Sequence, residues 1–353
     1  MKFGPRGVLR CTAATEDVPG EDPRFGPWGK QNCEDTGSLD KKRMETVDQE
    51  FLAATLDFID RANKAKKPFL AWFNPSRMHI WTRLKPESQG KTGLGVYPDG
   101  MVEHDADVGT LLKKLDDLGI ADNTIVIYTT DNGAETFSWP DGGTTPFRGE
   151  KNTNWEGGYR VPALIRWPGV VEPRSEINAI FSAEDWVPTL VAAAGEPGIK
   201  EKLLEGGEVG GKLFKVHLDG YDQRDLLAGK DSGKRREFFY WTDDGNFAAL
   251  RYAQYKLVFL EQQAHGLEVW MQPLVPLRAP KILNIRSDPF ERAEHEAGAY
   301  DTWFVEHLFV LVPAQAIVGK YLATFQAFPP RQEPGSFSVD QVMEKLTKQQ
   351  GSR

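Results

Sequence analysis

The sequence predicts an α/β fold: a mostly parallel sheet flanked by helices, followed by a smaller C-terminal antiparallel sheet plus helix. Three features carry that expectation. Apolar runs and helical stripes alternate from Met44 to Gly195. The run TIVIYTT is β-branched and uncharged, as a parallel strand covered on both faces would be. After residue 235, three short strand-like segments follow one another between turn signals.

Each element follows from its residues. Val47, Phe51, Ala54 and Phe58 recur at helical spacing and predict a helix running to about Ala65. PFLAWFN, from Pro68, reads as a short buried strand. Met101, Val108, Leu111, Leu112, Leu115 and Leu118 form a second helical stripe, ended by Gly119. Thr124 to Thr130 is the expected central parallel strand, and a Gly-rich loop from Asp131 to Tyr159 leads to a further strand in RVPALIRWP. Ser182 with Asp185 forms a capping-box pattern before DWVPTLVAAAG, a helix closed by Gly195. EFFYW, FAALRY and YKLVFLE predict an antiparallel meander, with KILNIRSDP as a fourth strand and two helical segments between about Tyr300 and Phe325. The first 43 residues show no period of either kind. The expected division is an incomplete catalytic α/β domain over 1–235 and a C-terminal subdomain of antiparallel strands and helices over 236–353.

Composition excludes several classes. The 353 residues are 40% hydrophobic and 27% charged, which rules out a disordered or fibrous chain. Lys plus Arg number 43 against 51 Asp plus Glu, a net charge of −8, and no long basic run exists to bind nucleic acid. The opening residues contain no apolar core of the kind a secretory signal needs. Leu308 to Phe325 is apolar but interrupted by Pro313, Gln315 and Lys320, so a buried helix pair is expected there and no membrane span. Cys11 and Cys33 make no disulfide framework. Compartment and oligomeric state are not legible, a periplasmic or secreted parent being compatible with the chain.

Asp131 and Asn132 follow the TIVIYTT strand directly, where open parallel sheets gather ligands. A carboxylate and a carboxamide oxygen suit Ca²⁺ or Mg²⁺, although Asp-Asn-Gly is equally a favoured tight turn. His79 lies just beyond another strand candidate and Lys151 within the Gly-rich loop. Singly, such a histidine is structural and such a lysine solvated. Converging with Asp131 and Asn132 on one sheet edge, they would make a cationic cradle for a tetrahedral oxyanion. Other candidates fall away. Gly90-Lys91-Thr92 has Lys85 where a phosphate-binding loop needs glycine, and Asp105 and Asp107 read as helix-face or packing carboxylates. Trp155 and Tyr159 read as lining a substrate mouth or as core, and His104, His217, His265, His295 and His307 have no motif context.

The segments PFLAWFN with Met78-His79, EHDADVGTLLKKLDDLGIADNTIVIYTTDNGAE, TPFRGEKNTNWEGGYRVPALIRWPG, DWVPTLVAAAG and LNIRSDPFERAE resemble, in order and spacing, the sulfatase family of arylsulfatase type over roughly residues 40 to 300. The resemblance implies an alkaline-phosphatase-like fold and hydrolysis of a sulfate ester, borne by a small molecule or a sulfated glycan. It implies Asp131 and Asn132 as Ca²⁺ ligands and His79 and Lys151 as sulfate-contacting, catalytic residues. Family members attack sulfur with a formylglycine made from the cysteine of a C-x-P-S-R or C-x-A-G-R signature. Neither is present. Cys11 stands in CTAAT, and Phe73 replaces the cysteine in FNPSR, so both are decoys and no nucleophile is assigned. The expectation is therefore a C-terminal sulfatase fragment with an incomplete Ca²⁺ site. The alternatives are a phosphonate or phosphodiester hydrolase of the same superfamily, or a non-catalytic Ca²⁺-binding or inert remnant. Assayed with an aryl sulfate, with and without co-expressed formylglycine-generating enzyme, the chain is expected to show no turnover; turnover abolished by Cys11→Ala would overturn that reading.

Overall fold

The structure, a computed structural model of the chain, describes residues 7–22, 26–138, 140–142 and 144–330. They fall into two units, one within Met1–Ala121 with Pro140–Gly142 and one within Asp122–Trp139 with Gly143–Arg353.

The first unit opens with strands, where the sequence showed no period. Gly7–Ala13 pairs antiparallel with Gln31–Ser38. Most of their residues are exposed, so no inward-facing row of apolar side chains marks them in the sequence. Cys11 sits directly opposite Cys33, and the two form a disulfide. Their pairing comes from strand register, which cysteine spacing does not reveal. Such bonds persist in oxidising compartments.

Both expected helices of this unit form, over Val47–Lys64 and Val96–Asp117. Leu52, Ile59 and Leu115 are buried on them. Asp107 is buried and accepts from Gln49 Nε2 at 3.1 Å, and burial pushes its carboxyl up. Asp105 stays exposed. PFLAWFN forms no strand: it has no ladder partner among the described residues, and Leu70 and Trp72 are 74% and 84% exposed. An apolar run becomes a strand only when a neighbour takes up its backbone groups.

In the second unit Val126–Thr129 pairs with Ala163–Arg166, Ile127 facing Ile165, and the pairing is antiparallel. Every strand pair among the described residues is antiparallel, and the parallel ladder expected at Thr124 to Thr130 is not among them. Val126 to Tyr128 are only half-buried and Leu164 is 65% exposed. A β-branched run encodes strand propensity; which neighbour it meets, and in which direction, is set by chain path. The capping box at Ser182 and Asp185 forms and leads into the helix Trp186–Ala193. Asp185 is fully buried and is also held by Arg235 Nη2 at 2.7 Å.

Four antiparallel strands follow, ordered in space Val275–Asn284, Tyr255–Glu261, Phe247–Tyr252 and Glu237–Trp241. One face packs Tyr240, Ala249, Val258 and Leu283 against Trp155. The other packs Leu250 and Leu257 against Val310 and Ala314 of the C-terminal helical region. Tyr300–Glu306 and Leu311–Ala327 are the two expected helices, but they are not a buried pair. Only Val310 and Ala314 are buried there, Tyr321 stacks on Phe239 at 3.7 Å, and Phe309 and Val312 are 65% and 72% exposed. Leu308–Ala327 is long and apolar enough to cross a membrane by length and composition, with 11% of the window buried. Its interruptions do not lower the apolar content enough to exclude it, and a single helix of this kind is weak support for a span.

A buried ion cluster joins the loop near residue 156 to the sheet. Lys256, with no exposed surface, reaches Glu291 Oε1 at 2.8 Å and Glu156 Oε1 at 3.2 Å. The Tyr240 hydroxyl donates to Glu156 Oε1 at 2.5 Å. Burial by itself would raise the Glu156 carboxyl, but the charge of Lys256 with hydrogen bonds from Tyr240 and Arg160 holds it at about 2. Burial raises Glu291, so its contribution to stability is full at low pH and fades as pH rises. Glu156 has the opposite sign: its contribution is full above its unfolded value of 4.5 and is lost as pH falls through about 2. Lys256→Met is expected to lower unfolding free energy at pH 7 by about 3–5 kcal/mol, because it leaves the buried Glu291 carboxylate without a counter-charge, while Glu156 keeps Arg160 and Arg251. Losing Lys256 raises the Glu291 carboxyl further, so the deficit should shrink as pH falls and that group protonates; urea titrations at neutral and acid pH read both effects, and an unchanged midpoint at pH 7 would contradict the assigned role.

Candidate functional site

The Asp131–Gly133 turn is brought to the 148–158 loop by close backbone contact. Gly133 N–H donates to the Gly158 carbonyl at 2.9 Å, and Lys151 N–H to the Ala134 carbonyl at 3.0 Å. A Cβ on Gly133 would lie 1.7 Å from the Gly157 carbonyl oxygen, and one on Gly157 would lie 2.4 Å from that of Gly149. The glycines therefore permit the approach, and no larger residue fits. The buried Glu150 carboxylate accepts from Thr136 N–H at 2.8 Å and Gly266 N–H at 2.7 Å, so one side chain secures the turn and the segment carrying Trp270.

Asp131, Asn132 and Lys151 line one cavity of about 340 Å³ together with Tyr159, Trp241 and Trp270. Asp131 is exposed and accepts from Thr130 Oγ1 at 3.3 Å. Asn132 donates its Nδ2 to the Gly133 carbonyl at 2.9 Å, which leaves its carboxamide oxygen as the group able to meet a cation. Lys151 Nζ is 3.5 Å from Glu135 Oε1 and 5.6 Å from the Trp270 ring centre. Tyr159 donates to the Trp241 carbonyl at 2.5 Å, and burial, with the charge of Asp243, pushes its phenol up to about 12, so it stays neutral.

His79 belongs to the first unit. Its turn is held by the fully buried Asp48, which accepts from Ser76 N–H at 2.7 Å, Ser76 Oγ at 2.8 Å and Arg77 N–H at 2.9 Å. The exposed His79 ring donates through Nδ1 to the Ile80 carbonyl at 2.5 Å, leaving Nε2 as the open nitrogen. Arg77, in the FNPSR decoy, is buried and donates to the Glu45 carbonyl at 2.8 Å. Cys11 is not a free thiol.

Among the described residues no three His, Cys, Asp or Glu side chains group as a metal site. Asp131 and Asn132 offer two hard oxygens where Ca²⁺ takes six to eight, so they fit such a site as part of its donor set. Of the two aromatics read as a mouth, Tyr159 lines the cavity, whereas Trp155 is 2% exposed in the core with its indole donating to the Gln262 carbonyl. Trp241 and Trp270 were not legible as site residues: they stand more than 80 positions beyond Lys151 and carry no motif.

Residues 13–196 match the sulfatase family, and the chain belongs to it. Arylsulfatase A of Homo sapiens is 30% identical over 258 residues, covering 69% of this chain and 48% of that protein. Steryl-sulfatase of Rattus norvegicus is 35% identical over 159 residues, 43% of this chain and 27% of its own length. The PsFucS1 sulfatase from a Pseudoalteromonas species superposes with a TM-score of 0.72 at 26% identity, over 85% of this chain and 57% of that one. The fold is thus the alkaline-phosphatase-like fold of the sulfatases. The chain spans about half the length of the arylsulfatases it matches.

Gly133→Ala is expected to cost about 1–3 kcal/mol by overpacking the turn against the Gly157 carbonyl. Gly109→Ala, in a helix with open space around it, should instead gain up to about 1 kcal/mol. Equal urea midpoints for the two variants would refute the close-approach account.

Proposed function

We propose that this chain supplies part of the active site of a sulfate-ester hydrolase of arylsulfatase type, acting on a sulfated small molecule or glycan. The observation that carries the reading is the meeting of Asp131, Asn132 and Lys151 at one cavity. A sulfuryl group is a tetrahedral array of oxygens carrying negative charge, and Lys151 is the cation there to hold it. Asp131 and Asn132 would hold part of the coordination sphere of Ca²⁺, which when bound adds positive charge beside the sulfuryl oxygens.

His79 is assigned as a second sulfate contact and as a proton donor to the departing oxygen through Nε2. Its Nδ1 is committed to the Ile80 carbonyl, which fixes the ring's orientation. Lys151 shares the work of binding and can also donate a proton. No nucleophile is assigned among these residues, since Cys11 is tied to Cys33 and Phe73 stands at the cysteine position of FNPSR. In this reading residues 1–235 belong to the catalytic domain and 236–353 to a C-terminal subdomain that completes the cavity wall.

Separate titrations with CaCl₂ and sodium sulfate test the assignment. Ca²⁺ should raise the melting temperature of the chain and fail to do so in Asp131→Ala, while Lys151→Ala should bind sulfate at least tenfold more weakly. Wild-type sulfate affinity in Lys151→Ala would sink it.

A further inference from the structure

The first unit holds a cavity of about 480 Å³ that shares no residue with the one at Lys151. Its charged lining is Lys41, Lys42, Glu45 and Arg83, three cations against one carboxylate. That carboxylate is already engaged, since Lys42 Nζ lies 2.5 Å from Glu45 Oε2. Lys41 and Arg83 are left with no acidic partner among the described residues. Water balances the charge of the exposed Lys41, but Arg83 is half-buried and has given up part of its solvation.

Both cations stand on anchored backbone. Thr82 Oγ1 donates to the His79 carbonyl at 2.9 Å and Gln89 Nε2 to the Leu84 carbonyl at 3.2 Å, so hydrogen bonds fix the chain on either side of Arg83. Leu84 is 5% exposed, and the next residue, Lys85, spends its charge on the buried Glu103 at 3.0 Å. The Arg43–Glu45 turn, which follows Lys41 and Lys42, is held by the buried Arg77, whose Nη2 donates to the Glu45 carbonyl at 2.8 Å.

A guanidinium presents a planar fork of donors that matches a carboxylate or a phosphate, and an ammonium in the same cavity adds charge without demanding a geometry. The volume lies within the roughly 300–1,000 Å³ in which proteins lodge small organic molecules, so a bare inorganic ion would leave most of it unfilled. Leu84 and Val96 give the lining an apolar component, Val96 being 48% exposed.

We propose that this cavity is an organic-anion site, in which Arg83 and Lys41 take a carboxylate or phosphate group and Leu84 and Val96 meet the apolar body that carries it. The site is independent of the sulfate-ester reading, because none of its lining residues takes part in that reading.

Calorimetric titration of the full chain tests the site with benzoate, phenyl phosphate, sodium phosphate and benzyl alcohol as probes. Benzoate or phenyl phosphate should bind about tenfold or more tightly than sodium phosphate. Benzyl alcohol, a similar ring without the charge, should not bind at the same concentrations. Arg83→Gln should weaken the organic anion by about tenfold, and Arg83→Lys, which keeps the charge and loses the fork, should fall between it and wild type. Lys41→Gln, an exposed change, should cost about threefold with an unchanged melting temperature. Affinity in Lys151→Ala should stay within about threefold of wild type. No binding of either organic anion, or wild-type affinity in both Arg83→Gln and Lys41→Gln, overturns the proposal. Sodium phosphate binding as tightly as the organic anions reduces the site to charge neutralisation and also overturns it. Binding abolished by Lys151→Ala and untouched by Arg83→Gln would place the anion in the other cavity, against this proposal and in favour of the sulfate-ester reading.

Discussion

Lys256 is the constraint on which the second unit depends. A lysine with no exposed surface on a central strand is tolerable only because Glu156 and Glu291 meet it at hydrogen-bond distance. The carboxylates come from widely separated stretches, one from the loop after Arg148 and one from beyond the last strand. Glu291 Oε2 also accepts from the Glu156 N–H at 2.7 Å, so charge pairing fixes the loop's backbone as well as its side chain.

From that anchor the site follows by short steps. Gly157 and Gly158 adjoin Glu156, and their carbonyls are the surfaces on which the Asp131–Gly133 turn rests. Trp155, on the other side of Glu156, is covered by the Arg148 guanidinium at 3.5 Å from its ring centre. The loop thus gives its apolar residue to the core and its cation, Lys151, to the cavity. The same division explains why one of two neighbouring aromatics is structural and the other lines the site: Trp155 and Tyr159 lie four residues apart, but the helical turn between them is closed around the buried glutamate.

Legibility followed locality. The two long helices, the capping box at Ser182 and the four C-terminal strands were readable because their signals are short-range: apolar spacing, a cap, turns between β-rich segments. Strand direction at Val126–Thr129 was not, since propensity carries no information about the partner. The N-terminal strands were hidden by their exposure, and the Cys11–Cys33 bond by its dependence on register. The C-terminal helix misled differently: its composition is largely apolar, but only one stripe, through Val310 and Ala314, meets the sheet.

The sequence by itself determined the family, through ordered local motifs, and placed Asp131, Asn132 and Lys151 among the residues to examine. It did so because each motif is a contiguous stretch whose chemistry is complete within a few positions. Tertiary structure alone decided that those three share a cavity, that Trp241, Trp270, Asp243 and Asn154 join them, and that Lys256 with its two carboxylates holds the wall in place. Those pairings span roughly 20 to 140 positions, and only packing, desolvation and charge compensation in the folded chain can bring such residues together.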